Sequence, residues 1–88
     1  MVANAMMMFP NAMKRITSIC EAALASGEHV EGDWKEKGVE GSLGHAAAHF
    51  GGVDMLTGEN MRVDAGEDHL GNLACRVLMA LELRLSKG

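Results

Sequence analysis

Eighty-eight residues make one domain, and a chain of this size buries only about 60–65% of the surface that its unfolded form exposes. Its net charge of −4, from eight Lys and Arg against twelve Asp and Glu, argues against duplex DNA or long RNA as a partner, because neutralised phosphates supply most of that affinity. No stretch approaches the roughly 20 apolar residues of a membrane span, and the Met-rich segment 1–10 lacks the basic start of a signal peptide, so a cytoplasmic protein is expected.

Three helices follow in chain order. The first spans Asn11 to Ala25: Pro10 precedes it, Asn11 can cap it, and Met13, Ile16, Cys20 and Ala23 form its apolar face until Ser26-Gly27 stops it. From Glu28 to Gly41 the chain is polar and punctuated by glycine, a loop with Trp34 as its single ring. Trp34 suits either packing over the core or stacking on a base. Ser42 is the expected N-cap of the second helix, Leu43 to Phe50, which carries His45 and His49 one turn apart and ends at Gly51-Gly52. A loop from Val53 to Gly66 leads to the third helix, which runs to Leu85. There Asp68, His69, Asn72 and Arg76 recur at spacings of three or four beside an apolar stripe of Leu70, Leu73, Val77 and Leu81, widened by Leu78 and Leu85. A helix apolar over so much of its surface is buried on more than one side, and its polar face lines a cavity or a partner.

The expected fold is therefore all-α, a small three-helix domain with long polar loops. A hydrophobic content of 48%, eight methionines among it, exceeds what three short helices need for their own interior and points to a helical homo-oligomer. Cys20 and Cys75 match no zinc spacing and sit on apolar helical faces, where buried free thiols are expected.

The chemistry offered is limited. Two histidines at i and i+4 can reach one metal ion, with Asp54, Asp68 or His69 as further ligands, or they can hydrogen-bond locally or meet a ligand instead. Asp54, Glu59, Asp64 and Glu67 are the carboxylates that could turn toward them. Arg62 and Arg76, with Lys35 and Lys37, are the candidates for holding phosphate. There is no glycine loop closed by Lys-Ser or Lys-Thr, no nucleophile elbow, and no helical pair of glutamates at i and i+3 with an aspartate beyond.

Several short motifs, taken in order, carry a resemblance. Phe9-Pro10-Asn11-Ala12-Met13 opens the first helix and Gly32-Asp33-Trp34 tips the loop. Ser42-Leu43-Gly44-His45 begins the second helix, and Asp68-His69-Leu70-Gly71-Asn72 begins a third that continues as Leu78-Met79-Ala80-Leu81-Glu82-Leu83. In order and spacing these resemble the small phage-encoded family of dATP/dGTP diphosphohydrolase N-terminal domains, almost end to end. The chain differs from the family pattern in having Gly44 for Arg, His49 for an aromatic residue, Asp68 for Pro and Asn72 for a second His.

The resemblance implies a nucleotide-handling protein of phage type, working in the host cytoplasm, that releases pyrophosphate from a purine deoxynucleoside triphosphate with Mg2+ or Mn2+. On this reading His45 and His69 are the expected catalytic residues, Asp54 and Asp68 the expected metal ligands, and Trp34, Lys35, His49, Asn72 and Arg76 the residues expected around the ligand. Two other readings stay open: a protein that sequesters a nucleotide or a host immune signal without cleaving it, and a structural interaction module.

Overall fold

The computed structural model describes residues 4–27, 32–61 and 67–86. Within them the chain is all-α. Helix α1 (Ala5–Met8) is a single turn, capped where the Asn4 side chain accepts from the Met7 amide, and it leads into α2 (Pro10–Ala25). Pro10 takes the first position of α2, where its missing N–H costs nothing. A 3-10 helix (Asp33–Lys37) feeds directly into α3 (Gly38–Phe50), and α4 (His69–Ser86) closes the order. The 3-10 helix is bracketed by Gly32 and Gly38 at φ of 85° and 68°, a left-handed backbone that favours glycine. No helix among the described residues is long and apolar enough to cross a membrane.

Three expectations are corrected here. Asn11 is the second residue of α2 and not its cap, a position that Phe9 takes without a side-chain hydrogen bond. The second helix begins at Gly38, a turn before Ser42, so Ser42 is an interior helical residue and not a cap. It is 0% exposed, and among the described residues its hydroxyl has no hydrogen-bond partner. Cys75 is buried as expected, but Cys20 is exposed. The two lie together across α2 and α4. Burial first, and the neighbouring Cys20 thiol second, push the Cys75 thiol from 9.0 up to about 11, so it is an inert packing group at neutral pH.

The helices pack through small side chains. Ser42 and Ala46 of α3 are buried, as are Cys75 and Ala80 of α4, and among the described residues Val53 is the single branched aliphatic that is fully buried. Small residues let two helix backbones approach closely, but each removes little apolar surface from water. The cost of that choice is visible outside: Leu70, Val77, Leu78, Leu81 and Leu85 of α4 are all exposed, and α2 buries no residue at all.

The turn after α3 is built by its backbone. Val53 pairs with Asn60 in an isolated antiparallel bridge, the Met61 amide donates to Gly52 at 2.8 Å, and the Asp54 amide donates to Glu59 at 2.8 Å. At the other end of the connection the Asp68 side chain caps α4 by accepting from the Gly71 amide at 3.1 Å, and it also pairs with Arg15 of α2 at 3.4 Å. Gly71 is the contact point between those helices, since a Cβ there would strike the Asp68 carboxylate and come within 2.8 Å of Ile19 Cδ1. Gly44, by contrast, faces open space.

Those two glycines make unequal predictions. Gly44→Ala should stabilise the fold by about 0.5–1 kcal/mol through helix propensity. Gly71→Ala gains the same propensity but must displace the Asp68 carboxylate and the end of the Ile19 side chain, so it should be the less stable of the two variants. Urea denaturation of both variants checks the order.

Candidate functional site

The polar face of α4 meets the last turns of α3. The Nδ1 atoms of His49 and His69 lie 3.0 Å apart, with ring centroids at 5.3 Å and planes tilted by 48°. One imidazole donates and the other accepts, so the pair holds one proton between its two Nδ1 atoms. The Glu67 carboxylate completes the group: one ligand atom from each of His49, Glu67 and His69 lies within 4.8 Å of the other two.

Each member is fixed by a distinct neighbour. His69 is 5% exposed, and its ring lies against the backbone of Gly52, where a Cβ would fall 2.6–2.9 Å from ring atoms. The Asn60 side chain spans the other two points: its amide nitrogen donates to the Glu67 carbonyl at 2.7 Å, and its oxygen accepts from the His69 amide at 3.1 Å. Asn72, one turn along α4 from His69, donates from Nδ2 to the Glu67 carboxylate at 2.9 Å. Side chain and backbone of Glu67 are therefore both held.

Farther along the same seam lies a second, cationic group. His45 stands one turn before His49 on α3, and its pKa is lowered from 6.5, first by the positive charge of Lys37 and then by that of Arg76. Loss of water around the ring and the nearby His49 act in the same direction. Arg76, on α4, is half-buried and reaches the Met79 sulfur at 3.7 Å through Nη1.

The residues singled out from the sequence thus divide. His49, His69, Asn72, His45 and Arg76 share the α3–α4 seam. Asp54 and Asp68 are engaged elsewhere. The Asp54 carboxylate accepts from the Leu56 amide at 2.8 Å, and both oxygens of Asp68 serve the α4 cap and Arg15. Trp34 lines an apolar cavity of about 380 Å³ between α2 and α4, beside Ile16, Cys20, Cys75 and Leu78, and the Lys35 ammonium sits 5.8 Å over its ring. Arg62 and Asp64 lie outside the described residues.

Asn60 and Gly52 escaped the sequence reading. Neither carries chemistry of its own, and only the path of the backbone gives them their roles. Comparison of the chain with protein-family models, curated proteins and solved structures finds no match.

The origin of the His45 shift can be checked directly. Its pKa, followed by the NMR chemical shift of the ring, should rise in Lys37→Ala and rise by less in Arg76→Ala. Equal values in all three proteins would contradict the arrangement.

Proposed function

We propose that the chain is a nucleotide-handling protein of the phage type it resembles, acting in the host cytoplasm, with the phosphates of a purine deoxynucleotide held by Lys37, His45 and Arg76. The reading is carried by the exposed His45 ring, whose pKa is lowered first by the positive charge of Lys37 and then by that of Arg76. A like-charged trio depresses His45 protonation when empty and becomes favourable when a phosphate bridges it.

Binding without cleavage is the mode that the carboxylates favour. Mg2+ asks for several oxygen ligands, yet Asp54 and Asp68 are committed to local hydrogen bonds, and Glu67 is the one carboxylate in the seam's ligand-competent group. Metal-dependent release of pyrophosphate is the second reading, and the three clustered ligand atoms of His49, Glu67 and His69 speak for it.

The experiment is incubation with dATP and dGTP, with and without Mg2+ or Mn2+, followed by chromatography and calorimetry. Intact nucleotide recovered after heat denaturation supports sequestration; monophosphate plus pyrophosphate, abolished by chelator, supports hydrolysis. Lys37→Ala and Arg76→Ala should each weaken binding by about tenfold or more, the loss of a charge-assisted hydrogen bond of about 1.5–3 kcal/mol, with helical circular dichroism unchanged. Neither binding nor turnover of any nucleotide would overturn the reading.

The functional unit is proposed to be a homo-oligomer joined through α4 and α2. Leu70, Val77, Leu78, Leu81 and Leu85 of α4 and Leu24 of α2 stand exposed, apolar surface of the kind that a second copy would cover. Light scattering should give a multiple of 9.4 kDa, and Leu81→Asp should dissociate or unfold it, since a carboxylate in an apolar interface costs several kcal/mol, roughly. A stable wild-type monomer at micromolar concentration would refute the assembly.

A further inference from the structure

We infer that His49, Glu67 and His69 form a binding site for one zinc-class transition-metal ion per chain. Two imidazoles and one carboxylate are the donor set of open, three-ligand zinc sites, in which a fourth position remains for water or an anion. The geometry is close to what an ion requires. Ligands about 2.0–2.1 Å from a tetrahedral centre stand about 3.3 Å from one another, and the two Nδ1 atoms are already 3.0 Å apart. The carboxylate of Glu67 lies within the same 4.8 Å span.

In this site the ion replaces the proton shared by the two rings. The histidine that donates from Nδ1 shifts its proton to Nε2, both Nδ1 lone pairs then face the ion, and the number of protons on the neutral pair is unchanged. The supporting layer is already in place. Asn72 holds the Glu67 carboxylate, Asn60 fixes the backbone at both Glu67 and His69, and Gly52 leaves the space that the His69 ring occupies. Such outer contacts orient ligands and raise affinity in metal sites generally.

The donor set also selects. Imidazole nitrogen suits zinc, cobalt, nickel and copper, whereas Mg2+ and Ca2+ prefer all-oxygen surroundings. The helical pair His45 and His49, whose spacing alone would permit shared ligation, is not the site. His45 is instead influenced by Lys37 and Arg76, and His49 turns to His69. This inference shares its three residues with the hydrolysis reading but assigns them to a zinc-class ion in place of Mg2+, and it is independent of nucleotide binding because it needs no phosphate ligand.

The test uses the untagged full-length protein, stripped with chelator, with no nucleotide present. Calorimetric titration with Zn2+ should give one ion per chain, and Mg2+ should give no heat. Co2+ should produce d–d absorption bands without the sulfur-to-cobalt charge-transfer bands that Cys20 or Cys75 would add. His49→Ala and Glu67→Gln alter a half-buried and an exposed side chain, so they should retain the helical circular dichroism that a buried His69→Ala could lose; each should lower Zn2+ affinity by at least about tenfold, and Asn72→Ala should lower it within the 10–100-fold range of supporting residues. Unchanged affinity in both His49→Ala and Glu67→Gln, thiolate bands with Co2+, or no Zn2+ binding at micromolar concentration would each overturn the site. None of these outcomes bears on nucleotide binding, so the two proposals can fail separately.

Discussion

The close approach of α3 to α4 is the constraint on which the rest of the molecule depends. Ser42 and Ala46 of α3 and Ala80 of α4 are small and buried, which lets the two helices come close, and His49 and His69 are carried into hydrogen-bond contact as a result. Larger side chains at these positions would supply more hydrophobic stabilisation but would separate the imidazoles. Ser42 shows the tension most plainly. A buried hydroxyl without a partner is worse for stability than alanine, yet its volume fits the contact.

The same choice explains the two faces of α4. Its inward residues are short or polar and serve the seam. Leu70, Leu78, Leu81 and Leu85 stand outward, Leu73 and Leu83 are half-buried, and the apolar cavity beside Trp34 opens between α4 and α2. Charge follows a parallel division along the seam. Glu67 and the histidine pair lie at one end, and Lys37 and Arg76 act on His45 toward the other.

What could be read from the sequence was set by periodicity. α4 is legible from its leucine spacing and from Asp68, whose capping bond the helix needs, and α2 from Pro10 at its start. The beginning of α3 was hidden. Gly38 and Gly41 have poor helix propensity, and the 3-10 helix that leads into α3 leaves no apolar pattern, so contact with α4 prevails over local preference. His49 and His69 could each be singled out by residue type, but their meeting depends on how Val53 and Asn60 fold the intervening turn, which no spacing rule encodes. Asp54 and Asp68 illustrate the converse. Carboxylates near a helix end or turn have backbone amides to accept from, and those nearby donors took them.

The contacts described among His49, Asn60, Glu67, His69 and Asn72 join residues close together in sequence. The widest separation is the 20 residues between the two histidines, and Asn60 closes the intermediate gaps of nine and seven. Closing such short loops costs little chain entropy, and contacts of low sequence separation form early and fast in folding. None of these contacts draws on a side chain of α2, so the arrangement of the ligand atoms is written into the second half of the sequence.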